Sequence, residues 1–142
     1  MSSGYSGTPL PRKLGIADGA RVGLVRAPDG IEALLAPLPP GARLMRRITP
    51  PLDVALCFCT LRRELEKDVG RLGDAVAPAG GLWIARPKRA SKVPTDMTED
   101  VVREVALPLG LVDNKVCAID ETWSGLRLVW RRSERASRTR LA

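Results

Sequence analysis

Three consecutive segments, D-V-A-L-C-F-C-T (53–60), L-R-R-E-L-E-K-D-V-G-R-L-G-D-A-V (61–76) and G-L-W-I-A-R (81–86), constrain the fold more than any other part of the chain. The first is apolar on both faces, as a central strand covered on each side must be. The second places Leu61, Leu65, Val69, Leu72 and Val76 on one stripe of a helix. A-P-A-G-G then ends the helix, and the third segment is a second buried strand. Two buried strands joined by a helix lie parallel with a right-handed crossover. The expected class is therefore α/β, with helices on the faces of a mostly parallel sheet.

The flanking sequence extends this unit. R-V-G-L-V-R (21–26) reads as a buried strand, D-G-I-E-A-L-L-A-P-L (29–38) as a short helix stopped by Pro39-Pro40, and A-R-L-M-R-R-I (42–48) as a less central strand. Only T-P-P-L separates 42–48 from 53–60, too little for a helical parallel crossover. That strand must run antiparallel, or the chain must double back in extended form. A helix is expected from Thr98 to Pro108, capped by Thr98, with Val101, Val105 and Leu109 inward. N-K-V-C-A-I-D (114–120) and G-L-R-L-V-W-R (125–131) read as a terminal hairpin. Residues 1–20 form an N-terminal arm ending in a helical turn, with Leu10, Leu14 and Ile16 available for docking. Residues 21–132 form the domain, and 133–142 a basic, disordered tail.

A βαβ series ending in a strand hairpin resembles the Rossmann-like sheet of class I methyltransferases, in which a late strand inserts antiparallel beside its neighbour. The resemblance covers about residues 20–131 and implies an S-adenosylmethionine site. The residues depart from that pattern. The turn after the first strand is R-A-P-D-G, with Gly30 as its one glycine where a Gly-rich turn would approach the cofactor. Arg46-Arg47 stand where an acidic residue would hold the ribose. Thr60-Leu61 stand where nucleic-acid enzymes of the family carry Asp or Asn before prolines. No cofactor is expected, and the chain leans away from being an enzyme. A second resemblance rests on longer phrases: G-Y-S-G-T-P-L-x-x-K-L-G-I, P-L-D-V, P-T-D-x-T-E-D-V-V-R-E, G-L-V-D-N-K-V-C-A-I-D and T-W-S-G-L-R. They are similar to an uncharacterised bacterial family, the domain of unknown function 3052 family, and imply no activity.

Charge narrows the functional classes. The net charge is +7, of which residues 86–92 supply +4 and residues 131–142 another +4. There is no histidine, so His-based catalysis and most zinc chemistry are excluded; catalysis would rest on Asp, Glu, Lys, Cys or Tyr5. Cys57, Cys59 and Cys117 sit in apolar strands and read as core filling, with too few ligands for a metal. The chain lacks a spanning segment and a signal-peptide h-region, so a cytoplasmic address is expected, with no membrane partner.

The candidate site is the loop R-P-K-R-A-S-K. Ligands of open α/β sheets bind beyond the carboxyl ends of the strands. If the last strand inserts beside 81–86, T-W-S-G lies against this loop. Lys88, Arg89, Ser91, Lys92, Trp123 and Ser124 would then surround one crevice, with Asp120 and Glu121 on its rim. Asp29 and Gly30 are further candidates, although Asp29 also suits a helix N-cap. The expected function is a non-catalytic binding or interaction domain whose loop takes a phosphate-bearing ligand or an acidic protein surface. One alternative is a degenerate or unconventional S-adenosylmethionine- or nucleotide-dependent enzyme. Another is a nucleic-acid-associated protein using the loop and the Arg tail, although aromatics for base stacking are few. The plain alternative is a solvated connector whose cations pair with Glu99, Asp100, Asp120 and Glu121.

Overall fold

The computed structural model describes residues 7–141; residues 1–6 of the expected arm, with Tyr5, lie outside the described residues. The elements are α1 (Leu10–Lys13), β1 (Arg21–Val25), α2 (Ile31–Leu34), β2 (Arg43–Met45), β3 (Leu52–Phe58), α3 (Arg62–Ala75), β4 (Val76–Pro87), α4 (Glu99–Ala106), β5 (Leu111–Ala118), β6 (Trp123–Trp130) and α5 (Arg132–Leu141). Six strands form one sheet in the order β2-β1-β3-β4-β6-β5. The first four run parallel, and β6 inserts antiparallel between β4 and β5. This is the α/β class that the βαβ unit implies.

Strand alternation divides the core in two. Ala55, Cys57 and Cys59 face α3 and α4, among Leu65, Val69, Leu72, Val102 and Ala106. Val54, Leu56 and Phe58 face the other layer, with Leu14, Ile16, Ile31 and Leu35. The arm thus docks through Leu14 and Ile16, and Trp83 fixes it by donating its indole N–H to the Leu14 carbonyl at 2.9 Å. Each fully buried leucine in these layers stabilises the fold by about 1.5–3 kcal/mol.

Of the two courses left open for 42–48 the extended one is taken, and several other local expectations need correction. β2 lies parallel and outside β1, and the chain doubles back to β3 in extended form; a strand of three residues spans only about 10 Å, so no helix is needed to return. Asp29 does not cap α2. Gly30 holds the N-cap position at φ +85°, a left-handed conformation that Gly adopts without penalty, and no side chain caps the helix. In α4, Val102 and Ala106 are the buried positions, while Val101 and Val105 pack at the flank. Pro108 follows in a tight 3₁₀ turn, which swings Leu109 outward to 45% exposure. The segment expected as a disordered tail is α5. Composition does not show its anchor: the Arg138 guanidinium stacks 3.5 Å over the Trp130 ring and also donates to Asp74 at 2.8 Å.

Candidate functional site

The loop after β4 is fixed at both ends. Arg86 pairs in register with Ser124 and Pro87 with Trp123, so β6 does insert beside the loop. The Lys88 N–H donates to the Thr122 carbonyl at 2.7 Å, and Ser91 Oγ donates to the Lys88 carbonyl at 2.6 Å, closing a 3₁₀ turn over Arg89–Ser91. Lys92 ends that turn at φ +60°, a strained conformation for a side-chain-bearing residue. Further on, Thr95 Oγ1 donates to the Thr60 carbonyl at 2.6 Å and Asp96 accepts the Arg62 N–H at 2.7 Å, tying the loop to the start of α3. Thr98 caps α4 as expected, its hydroxyl accepting the Val101 N–H at 3.0 Å.

These restraints hold open a cleft of about 820 Å³ beyond the end of β4. Its lining includes Arg86, Lys88, Arg89, Lys92 and Arg103 as cations and Glu99 and Asp100 as anions, an excess of three positive charges. Both acids are already engaged. Glu99 lies 3.8 Å from Arg86 and 3.2 Å from Arg103, which also pairs with Asp100 and Asp113 at 3.2 Å. Hydrogen bonds from Arg103 hold the Asp113 carboxyl below its ordinary range. The pairing expected for a plain connector forms at Arg86, which meets Glu99, but among the described residues Lys88, Arg89 and Lys92 make no ion pair. Three unpaired cations against one concave wall repel one another, and a multivalent anion relieves that repulsion.

The candidate residues therefore separate. Lys88, Arg89, Lys92 and Ser124 line the cleft. Ser91 does not; its hydroxyl is spent inside the turn. Trp123 faces the opposite side, because successive strand residues alternate and its neighbour Ser124 takes the cleft side. There it meets Phe58 edge to face at 5.1 Å. Asp120 is a turn former, one carboxylate oxygen accepting the N–H groups of Thr122 and Trp123 at 2.8 Å each. Glu121 is exposed and outside the cleft lining. Asp29 and Gly30 lie at the exit of β1, separated from the cleft by β3. The Arg tail lies elsewhere too: Arg138 borders a groove with Pro51, Val76 and Pro78 at the start of β4, whereas the cleft lies past its end. Loop and tail lie at opposite ends of β4 and form no single basic face.

At the exit of β1, sequence reasoning singled out Asp29 and Gly30 but not the contacts of Arg26. Arg26 stands there at φ +54° and folds over the end of β3. Its guanidinium donates to the Phe58 carbonyl at 2.9 Å, to Asp68 at 2.5 Å, and to the sulfurs of Cys57 and Cys59 at 3.4 Å each. Asp68 is 1% exposed and also pairs with Arg71 at 2.9 Å. Burial alone would raise the Asp68 carboxyl, but the hydrogen bonds from Arg26 and Arg71 prevail and hold it below its usual range. Burial likewise opposes the charge on Arg26, and the hydrogen bonds to Asp68 and Cys59, together with the charge of the two sulfurs, more than offset it. A signal was present: Asp68 falls at i+3 from Leu65 and i−4 from Leu72, on the apolar face of α3. A carboxylate there requires a buried cation.

This exit does not fit S-adenosylmethionine. A sulfonium cation would meet the Arg26 guanidinium, Gly30 is the turn's one glycine, and Arg46 after β2 is engaged with Glu32 at 3.0 Å. Among the described residues, no group of three His, Cys, Asp or Glu could hold a metal, and no helix is long and apolar enough to cross a membrane.

No family model matches the chain, and no curated protein matches it in sequence. Solved structures do match in fold. The ribosomal protein L11 methylase of Lactobacillus delbrueckii subsp. bulgaricus aligns with TM-score 0.54 at 10% identity over 80% of this chain and 70% of its own. DhpI in its SAH complex aligns with TM-score 0.60 at 12% identity over 87% and 83%. Aeropyrum pernix fibrillarin, solved with natively bound S-adenosyl-L-methionine, aligns with TM-score 0.57 at 11% identity over 80% and 68%. The sheet is thus of the class I methyltransferase type; identities this low speak to fold alone.

Proposed function

We propose that this protein is a degenerate member of the class I methyltransferase fold that binds a phosphate-bearing, nucleotide-like ligand in the basic cleft beyond β4. The fold neighbours favour a degenerate or unconventional S-adenosylmethionine- or nucleotide-dependent protein over the non-catalytic binding or interaction domain expected first, and the phosphate-binding loop of that first expectation is kept. The observation that carries it is the set of three cations, Lys88, Arg89 and Lys92, left unpaired on one wall of that cleft. The topology supports it, since open α/β sheets bind ligands beyond their carboxyl edge. Lys88 and Lys92 act as mobile point charges and Arg89 as a planar two-pronged donor to phosphate oxygens. Ser124 supplies a hydroxyl opposite them. Arg86 and Arg103 neutralise Glu99 and Asp100, so the acidic residues at the start of α4 do not repel the anion.

Calorimetric titration with inorganic tripolyphosphate tests this. Binding should weaken steadily as potassium chloride rises and be lost in the triple variant Lys88→Ala/Arg89→Ala/Lys92→Ala. Equal affinity in the variant sinks the proposal. Binding lost on removal of residues 131–142 instead would move the anion site to α5 and favour the nucleic-acid reading.

A further inference from the structure

We propose that Cys57 and Cys59 form a peroxide-reactive dithiol, with Cys59 as the sulfur that is oxidised first and Cys57 as the one that resolves it. The inference is independent of the basic cleft. The two sulfurs lie 3.6 Å apart on the same side of the chain, and one nitrogen of Arg26 donates to both at 3.4 Å. A cysteine that only fills a core has apolar neighbours. These two instead share a guanidinium that is itself anchored by Asp68 and the Phe58 carbonyl.

The charge pattern selects the chemistry. A cation beside two sulfurs stabilises a thiolate and repels a metal ion, and no third ligand is at hand among the described residues. Donation from Cys57 draws the Cys59 thiol down, burial opposes it, and Arg26 adds to the lowering. Cys57 is pushed up by that same donation and by burial. The two thiols are thus shifted in opposite directions, and Cys59 is the one that loses its proton more readily. Glu64 and Asp68 are the acidic groups facing them, both turned toward Arg26. Both sulfurs are buried, and Arg26, with 32% of its side chain exposed, is their outer cover. Hydrogen peroxide is small enough to enter when that side chain swings aside.

The reaction balances. The Cys59 thiolate attacks one peroxide oxygen, the O–O bond breaks, and hydroxide leaves to be protonated to water. The Cys57 sulfur then attacks the resulting sulfenic acid; the S–S bond forms, the S–O bond breaks, and a second water leaves with the Cys57 proton. Two thiols are oxidised and one peroxide is reduced. The sulfurs must close from 3.6 Å by about 1.5 Å, and Cys59 lies one residue past the last of β3. Cys117 has no such partner and is pushed up by burial, so it serves as an internal control.

Graded hydrogen peroxide followed by denaturation, alkylation and peptide mass analysis tests this. The expected product is a peptide lighter by two hydrogen atoms linking Cys57 and Cys59, with Cys117 alkylated. In Cys57→Ser, Cys59 should instead carry a sulfenic acid that a dimedone probe captures. The double variant Arg26→Met/Asp68→Asn removes the cation without stranding its buried carboxylate; it should slow the reaction about tenfold at neutral pH, because less of Cys59 is then thiolate. Oxidation of Cys117 first, persistence of all three thiols, or an unchanged rate in the double variant would each overturn the proposal.

Discussion

At the exit of β1, Arg26 meets a carbonyl, two sulfurs and a buried carboxylate, whereas at the exit of β4, Lys88, Arg89 and Lys92 meet no carboxylate among the described residues. Both places lie on the carboxyl edge of one sheet and both are cationic. In the first the charge is enclosed and matched, so its removal harms the fold. In the second it is presented to solvent, so its removal spares the fold and changes only what the cleft can attract. Matched burial therefore marks structure, and unmatched exposure on a concave wall marks a candidate for binding.

That contrast can be broken most forcefully at Asp68. Asp68→Ala strands Arg26 in the core edge and should destabilise the protein by about 3 kcal/mol in urea denaturation, as breaking a buried pair does. Lys88→Ala/Arg89→Ala/Lys92→Ala should change stability by less than about 0.5 kcal/mol. Similar losses from both would erase the distinction.

Acid sharpens it next. The folded pKa of Asp68 lies below its unfolded value, so its contribution is complete above the ordinary carboxylate range and is lost as pH falls through the folded value. Stability of the wild-type protein should decline between about pH 5 and 2, and Asp68→Asn should flatten much of that decline. An unchanged acid limb would mean that other carboxylates, such as Asp113 beside Arg103, account for it.

Smaller effects should come from the parts that hold the cleft and the far end of the sheet. Thr98→Ala removes the N-cap of α4 and should cost about 1 kcal/mol, with weaker tripolyphosphate binding as the cleft wall loosens. Arg138→Ala removes the stacking on Trp130 and should cost about 0.5–1 kcal/mol without affecting that binding. Weakened binding in Arg138→Ala would link two regions that lie at opposite ends of β4.

The sheet was legible because residues 53–86 carry their pattern openly: a strand apolar on both faces in β3, one stripe in α3 and a Gly-led return into β4. The hairpin was legible in its own two apolar runs, and the contact between T-W-S-G and the basic loop was implied by the resemblance to class I methyltransferases, in which a late strand inserts antiparallel. What escaped were features set by pairing across the fold. Trp123 was assigned to the wrong face because its position in the two-residue alternation depends on where β6 begins. The tail's helix depends on Trp130 lying under Arg138, a contact that charge and composition do not encode. Arg26 escaped because it ends an apolar strand and its partner Asp68 lies 42 residues later. The cysteines were legible as buried, but not as neighbours of a guanidinium.

The sheet is of the methyltransferase type, and we propose that the ligand binds at the β4 exit. Thermal unfolding of the wild-type protein and of Lys88→Ala/Arg89→Ala/Lys92→Ala, each with saturating tripolyphosphate or S-adenosylmethionine, tests it most directly. Tripolyphosphate should raise the wild-type Tm by several degrees and leave the variant unchanged, and S-adenosylmethionine should shift neither. A shift with S-adenosylmethionine, or an equal tripolyphosphate shift in both proteins, would contradict the account.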